Sequence, residues 1–219
     1  MKAIVLLSGG LDSTTTLYWA KYKGYKCSCL IFDYGQRHKR EINSAIKIAK
    51  IAKCKYDIVK IKLPWSKSAL TNKRINIPKR KSGVLSSEIP ITYVSARNTI
   101  FLSFALSYAE SIKASVVLIG ANAIDYSGYP DCRPEYYKAY EKVYKLGTKC
   151  GIEGTKIKIV TPLINKTKSQ IIKLALKLNV PIKWTWSCYT GEKIPCGKCD
   201  SCLLRMKGFK EVNILDEIN

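Results

Sequence analysis

The chain has 219 residues, enough for one sizeable domain with a hydrophobic core, and its 47% hydrophobic and 25% charged residues are ordinary for a folded protein. Its formal net charge of +22 comes mostly from lysines scattered along the chain. That pattern is typical of a solvated lysine surface, while nucleic-acid binding and a preference for anionic small molecules stay open. No apolar run approaches the roughly 18 residues of a membrane helix, and the first one ends at Ser8, too early for a signal peptide. We therefore expect a cytoplasmic protein that does not enter a membrane.

Apolar runs alternate with helical patterns along most of the chain; in the second helical pattern, Ile42, Ala45, Ile46 and Ala49 recur on one face. The alternation predicts an α/β fold, a Rossmann-like parallel sheet flanked by helices. Residues 64–90 have no clear period and are predicted to form a long loop, a candidate lid. The predicted strands are 3–7, 27–32, 56–61, 114–119 and 156–160, and the predicted helices are 12–23, 37–52, 95–111, 134–145 and 167–178.

A Ser-Gly-Gly turn that begins at Ser8 separates the first predicted strand from the first predicted helix. Glycines let the backbone approach an anion, and the N–H groups of a first helical turn point at its oxygens. The hydroxyls of Ser8, Ser13 and Thr14 add donors, so the turn is predicted to hold phosphate. Neither the lysine of a Walker A loop nor the Gly-x-Gly-x-x-Gly pattern is present. The alternative is a tight strand–helix turn in which Asp12 or Ser13 is an ordinary helix cap.

The full hexapeptide "SGGLDS" resembles the signature of the PP-loop ATP pyrophosphatases. Members of that group cut ATP between its α and β phosphates and transfer AMP to an acceptor oxygen. The resemblance implies an ATP site on this turn. An aspartate beside phosphates repels them, so Asp12 is expected either to hold magnesium or to turn away and cap the helix.

Four cysteines crowd into fifteen residues near the C-terminus, in a segment rich in Gly, Pro and Lys. Four thiolates close a tetrahedral zinc site without an open position, which predicts a structural metal. An iron–sulfur cluster is the main alternative. We divide the chain into an ATP-binding α/β domain, 1–183, and a zinc-binding segment packed on it, 184–219. The predicted zinc ligands are Cys188, Cys196, Cys199 and Cys202.

Further segments occur in order along the chain: "FDYGQRHKREI" from Phe32, "SARNTIFLSFALSYAE" from Ser95, "DYSGYPDCRPEY" from Asp125 and "TPL" from Thr161. With the ATP turn and the cysteines they resemble the 7-cyano-7-deazaguanine synthase family over nearly the whole chain. The resemblance implies a ligase that uses ATP to convert 7-carboxy-7-deazaguanine and ammonia to 7-cyano-7-deazaguanine (preQ0), in queuosine or archaeosine biosynthesis. It also implies one zinc per chain, magnesium with the ATP, a homodimer and no stable nucleic-acid partner.

The same resemblance implies roles for single residues. Asp12, Arg97 and Lys168 are the expected catalytic residues, with Arg97 as a phosphate clamp and Lys168 neutralising pyrophosphate. Surface arginine and lysine side chains are the alternative for both cations. Asp131 is expected to pair with the guanidine-like edge of the deazaguanine, and Arg133 with its carboxylate. The expected ATP contacts are Ser8, Gly9, Gly10, Leu11, Asp12, Ser13, Thr14, Asp33 and Tyr34, and the expected substrate contacts are Asp125, Ser127, Tyr129, Asp131 and Arg133.

Two other functions fit parts of the sequence. One is a PP-loop enzyme that adenylates a tRNA base before thiolation or lysine transfer, which the positive charge favours. Against it, the 219 residues show no separate RNA-binding domain, and the cysteine pattern suits a closed metal site rather than a sulfur-carrying pair. The other is a non-enzymatic zinc-knuckle protein that binds RNA, in which the ATP turn would have no role.

Overall fold

The computed structural model describes residues 1–79, 89–122 and 128–218. Its centre is a sheet of five parallel strands in the order β3-β2-β1-β4-β5. The strands are β1 (Lys2–Leu6), β2 (Lys26–Asp33), β3 (Lys55–Lys60), β4 (Val116–Leu118) and β5 (Lys158–Val160). The helices are α1 (Leu11–Tyr22), α2 (Arg40–Ile51), α3 (Arg97–Ser111), α4 (Pro134–Gly147), α5 (Lys149–Ile152), α6 (Lys168–Lys177) and α7 (Asp200–Glu211), with 3₁₀ turns at Pro130–Cys132 and Ile182–Trp184.

Helices cover both faces of the sheet. Successive side chains of a strand point to opposite faces, and Ile4 and Val5 of β1 are both completely buried. Ile4 belongs to a core with Leu102 of α3, whereas Val5 packs with Leu17 of α1 and Ile48 of α2. Burial on both faces explains why β1 and β4 read as continuous apolar runs rather than as alternating patterns. The predicted α/β fold is therefore confirmed.

The predicted strands and helices all occur, with ends shifted by a few residues. The largest shift is at α2, which begins at Arg40 although the pattern predicted a start at 37. The preceding side chains explain this difference, because they bind other backbone groups. Gln36 accepts a hydrogen bond from the Tyr34 N–H at 2.8 Å, and the Arg37 guanidinium donates to the Ile75 carbonyl at 2.7 Å. Arg37 thereby anchors the described part of the predicted loop 64–90, of which residues 80–88 lie outside the described ranges.

Helix α7 was not predicted. Its buried residues are Cys202, Arg205, Gly208 and Phe209, which share one face at helical spacing. Because three of these four residues are a cysteine, an arginine and a glycine, the buried face does not show the apolar periodicity from which helices are predicted. The face packs on α6, and a Cβ at Gly208 would stand 2.6 Å from the Lys168 Cγ. Glycine at 208 therefore lets α7 approach α6 closely.

The C-terminal segment also contacts the first turn of the fold. The Trp186 N–H donates a hydrogen bond to the Gly9 carbonyl at 2.9 Å. Arg205 forms an ion pair with Asp216, with nitrogen–oxygen distances of 2.6 and 2.9 Å, and each side chain is 4% exposed. The Trp186 hydrogen bond joins the segment that follows α6 to the carboxyl end of the sheet, and the ion pair holds α7 to the chain that follows it. None of the helices in the described ranges is long and apolar enough to cross a bilayer.

Candidate functional site

The functional site follows from the strand order. Successive connections run outward from β1 through β2 to β3, and the chain then returns to place β4 on the other side of β1. Ligands of such sheets bind in the crevice outside the carboxyl ends of the strands at this reversal. A cavity of about 280 Å³ lies there. Residues that follow β1, β2 and β4 line it, among them Ser8, Gly10, Asp12, Tyr34, Gly120 and Ala121.

Two glycines bring the backbone segments around this cavity together. Gly9 has a φ of 83°, and a Cβ there would stand 2.4 Å from the Glu41 carbonyl oxygen and 2.6 Å from the Ala45 nitrogen. Gly120, after β4, would place a Cβ 3.0 Å from the Ser13 nitrogen. Real Cβ atoms essentially never come within 3 Å of backbone atoms, so a side chain at Gly9 would push α2 away from the turn. The contact at Gly120 is tight, and a side chain there would require a small shift between α1 and the segment after β4.

A substitution tests this close approach. Gly9→Ala is expected to lower the free energy of unfolding by about 2 kcal/mol, because it combines an unfavourable positive φ with a backbone clash. Gly24→Ala is the matched control, since Gly24 has a φ of 79° and nothing within 4 Å of the added Cβ. It should cost about 1 kcal/mol, the conformational part alone. Urea unfolding of the two variants gives both values, and equal losses would contradict the steric argument.

The first turn of α1 faces the cavity with its amides uncapped. The helix begins after Gly10, and no side chain caps that end. The first N–H groups of a helix have no partner within it, so they present partial positive charge to an anion. By contrast, Thr167 and Gln170 form a complete capping box at the start of α6. The serines of the turn bind each other, with the two Oγ atoms of Ser8 and Ser13 at 3.0 Å.

Asp12 forms an ion pair across the cavity. Its two carboxylate oxygens accept from the Lys168 Nζ at 2.8 and 2.6 Å, and Oδ2 also accepts from the Asn122 amide at 2.9 Å. The side chains of Lys168 and Asp12 are 16% and 21% exposed. Asp12 therefore does not cap α1, which was one of its two expected roles. The pair brings the first turn of α1 and the start of α6 to one point of the site.

Arg97 at the start of α3 is a second cation in the cavity wall. Its guanidinium carbon lies 5.8 Å from the ring centre of Tyr34 and 5.9 Å from that of Phe101. The Arg97 Nε is buried, with no hydrogen-bond partner among the described residues. Burial alone would lower the pKa of Arg97, but Tyr34 and Asp131 outweigh it and raise that pKa. The side chain thus stays charged, and its buried Nε–H is an unsatisfied donor.

Glu41 is a cavity-lining residue that the sequence analysis did not single out. It lies in the first turn of α2 and is partly buried. Burial raises its pKa to about 7, although Arg97 acts in the opposite direction and Cys188 in the same one. The sequence offered one indication of Glu41, since it lies within the segment "FDYGQRHKREI" and in the helix that follows β2.

The predicted substrate segment contributes Tyr129 and Cys132 to the cavity wall. The Tyr129 hydroxyl hydrogen bonds to that of Thr92 at 2.9 Å. Asp131 is buried and binds the start of α3, since its Oδ2 accepts from the Asn98 N–H at 3.0 Å. Arg133 is exposed. Asp125 and Ser127 lie outside the described residues.

The four cysteines of the C-terminal segment form one cluster. Their sulfur atoms all lie within 4.8 Å of one another. Zn–S bonds of about 2.3 Å in a tetrahedron place sulfurs about 3.8 Å apart, so the cluster has the size of a single-ion site. Backbone amides support the sulfurs: the Cys196 N–H donates to the Cys188 Sγ at 3.3 Å, and the Cys199 N–H to the Cys196 Sγ at 3.4 Å. This set of residues fits a structural metal.

Comparison with known proteins identifies the family. A family model described as "Queuosine biosynthesis protein QueC" matches residues 2–213. The chain belongs to the QueC family. A QueC relative from Nostoc punctiforme, named 7-cyano-7-deazaguanine synthase, is 54% identical over 221 residues, which cover 100% of this chain and 99% of that one. A relative of the same name from Thermoplasma volcanium is 54% identical over 218 residues, 99% of this chain and 90% of that one.

Solved structures resemble the QueC fold at low identity. One is NMN synthetase from Francisella tularensis, with a TM-score of 0.52, 19% identity and coverage of 99% of this chain and 73% of that one. Another is the U34-tRNA thiolase NcsA from Methanococcus maripaludis with its [4Fe-4S] cluster, with a TM-score of 0.51, 17% identity and coverage of 97% and 65%. These likenesses concern the fold alone, and they agree with the predicted α/β fold.

The cavity of this QueC family member gathers many of the residues predicted for the site, but not all. Thr14 is completely buried, and its hydroxyl donates to the Gly10 carbonyl at 2.7 Å. Asp33 pairs instead with Lys39 at 3.7 Å. Most of the unpredicted lining residues named below come from the C-terminal segment, in which α7 was not predicted, and Glu41 comes from α2. The predicted residues that line the cavity are Ser8, Gly10, Leu11, Asp12, Ser13, Tyr34, Arg97, Tyr129 and Lys168. The predicted residues outside its lining are Gly9, Thr14, Asp33, Asp131 and Arg133. The lining residues that were not predicted include Glu41, Ser187, Tyr189, Ser201, Leu204 and Arg205.

Proposed function

We propose that this chain is an ATP-dependent ligase that converts 7-carboxy-7-deazaguanine and ammonia to 7-cyano-7-deazaguanine. The observation that carries the proposal is the uncapped start of α1, which opens on a cavity that also holds Arg97 and Lys168. That arrangement suits a polyphosphate. The substrate is inferred from relatives named 7-cyano-7-deazaguanine synthase, which are 54% identical to this chain over nearly its whole length.

The chemistry explains why such a cavity is needed. A carboxylate is a poor electrophile, because its charge and resonance oppose attack by ammonia. Attack of its oxygen on the α-phosphorus of ATP releases pyrophosphate and gives an acyl adenylate, from which ammonia displaces AMP to form the amide. A second adenylation, on the amide oxygen, followed by loss of AMP and protons, gives the nitrile. Both adenylations need the α-phosphate held against the acceptor oxygen, which is catalysis by proximity and by charge stabilisation.

Different residues of the cavity are proposed to carry out different parts of this reaction. The first-turn amides of α1 and the hydroxyls of Ser8 and Ser13 are proposed to bind the phosphates. Lys168 is proposed to leave Asp12 for the departing pyrophosphate, and Arg97 to stabilise charge that develops at the α-phosphate or at the acceptor carboxylate. Tyr129 is proposed to contact the deazapurine. Asp125, Ser127, Asp131 and Arg133 remain predicted substrate contacts.

Two ions belong to the proposal. The ATP is expected to bind with magnesium, which neutralises phosphate charge and prefers oxygen ligands. Asp12 and Glu41 are the carboxylates among the described lining residues, and Asp12 is the one next to the turn.

For the cysteine cluster we propose zinc rather than an iron–sulfur cluster, because sulfurs within 4.8 Å of one another leave little room for several iron atoms. The homodimer and the cytoplasmic location remain predictions from the sequence.

A turnover experiment tests the function. The purified chain is incubated with ATP, magnesium, ammonium and 7-carboxy-7-deazaguanine, and products are separated by liquid chromatography with mass detection. The expected result is the nitrile, with twice as much AMP as nitrile. AMP that appears only when tRNA is supplied, without nitrile, would refute the proposal and favour a tRNA-modifying PP-loop enzyme.

A further inference from the structure

The first turn of α2, which contains Glu41, packs against the Ser-Gly-Gly turn that follows β1. Its carbonyl oxygen lies where a Cβ on Gly9 would be only 2.4 Å away, so the first turn of α2 rests directly on the turn after β1. The residue lines the same cavity as Ser8 and Arg97. Among the described residues, no hydrogen bond or ion pair engages its carboxylate. The charge of Arg97 acts on this carboxylate. A partly buried carboxylate that accepts no hydrogen bond is still costly unless a ligand uses it.

Asp12 is the other carboxylate in the described cavity wall, and it is already engaged. Both oxygens of Asp12 accept hydrogen bonds from Lys168, at 2.8 and 2.6 Å. The Tyr129 hydroxyl is bound to Thr92 at 2.9 Å. Protonated lysine and arginine side chains donate hydrogen bonds and accept none. Within the described wall, Glu41 is therefore the carboxylate whose oxygens are available to a reacting group.

The proposed reaction has a step that needs such an acceptor. Adenylation of the carboxylate moves no proton, since the attacking oxygen is already ionised. Conversion of the amide is different: its oxygen displaces pyrophosphate from ATP while nitrogen loses one proton, which leaves an O-adenylated imidate. The remaining N–H bond then breaks, its electron pair forms the third C–N bond, and the C–O bond breaks with its pair leaving on AMP. Two protons must leave one nitrogen.

We propose that Glu41 is the base that accepts a proton from the amide nitrogen during nitrile formation. This role rests on the proposed function and adds a catalytic residue to it. The position suits the role, because the acceptor oxygen of the substrate must meet the α-phosphate, and the turn that binds that phosphate touches the backbone of Glu41. The nitrogen of the same amide group is then within reach of the same end of the cavity.

Glu41→Gln separates the two half-reactions. Glutamine keeps the size of the side chain and removes the proton acceptor. Nitrile formation from the supplied amide, 7-amido-7-deazaguanine, is expected to fall about 100-fold or more. Carboxylate-dependent exchange of pyrophosphate into ATP, measured without ammonia, should stay within about threefold of the unchanged chain. Glu135→Gln is the control, since Glu135 is exposed on α4 and should leave both rates unchanged.

Each outcome decides between proposals. Nitrile formation by Glu41→Gln at nearly the unchanged rate would overturn the role of Glu41, and so would an equal fall in both reactions, which would indicate a structural or nucleotide-binding residue. If Glu41→Gln does not fold, Glu41→Asp is the second test. It moves the carboxylate, so nitrile formation should fall about tenfold while exchange persists, and unchanged nitrile formation would overturn the role. An unchanged chain that makes no nitrile refutes the proposed function itself.

Discussion

Cys199→Ser is expected to release the metal and to lower the free energy of unfolding by about 4 kcal/mol. Cys199 is completely buried in the cysteine cluster, and α7 begins at the next residue. Structural zinc contributes about 10–16 kcal/mol of apparent binding energy in isolated zinc-finger peptides, and part of it is lost with one ligand. Helix α7 carries Leu204 and Arg205 into the cavity wall, so activity should fall as well. Elemental analysis and calorimetric unfolding measure the two effects.

A second cysteine provides the control for this result. Cys150 is partly buried and lies outside the cluster, so Cys150→Ser should keep both the metal and the stability of the unchanged chain. Chelation of the unchanged chain should reproduce the unfolding of Cys199→Ser, because both remove the same cross-link. A Cys199→Ser variant that is free of metal, well folded and fully active would show that the cluster does not stabilise the fold.

Asp12→Asn is expected to reduce AMP release about 100- to 1000-fold while the fold is retained. The substitution removes the carboxylate that binds Lys168 and leaves the lysine without its counter-charge at the centre of the site. The pair is partly exposed to solvent, so the cost in stability should be no more than about 1 kcal/mol. Initial rates of AMP formation and a thermal unfolding curve measure the two quantities.

A double-mutant cycle distinguishes a joint role from two separate ones. If Asp12 and Lys168 act as one unit, Asp12→Asn combined with Lys168→Met should be little slower than the slower single variant. The exposed pair of Lys149 and Glu153 is the control, and Glu153→Gln should change neither rate nor stability. Normal AMP release by Asp12→Asn would remove Asp12 from the catalytic residues.

Sequence patterns within short stretches of the chain predicted most of the secondary structure and the ATP turn of this protein. Periodicity located the strands and helices of the α/β fold, because a buried parallel strand and an amphipathic helix each impose a spacing on their own residues. The ATP turn was visible for the same reason, since strand, glycines and helix start are contiguous. Helix α7 escaped because Arg205 and Gly208 occupy its buried face for reasons that lie in other elements, namely Asp216 and Lys168.

The sequence by itself determined the fold class, the phosphate turn and the spacing of the four cysteines, since each of these is written in a continuous stretch of chain. The tertiary structure decided which side chains share a cavity. It paired Asp12 with a lysine 156 positions away, placed Asp131 under a helix start instead of in the cavity wall, and brought Glu41 into that wall. Those outcomes depend on how parallel strands order themselves and on how closely glycines let helices approach, and neither is encoded locally.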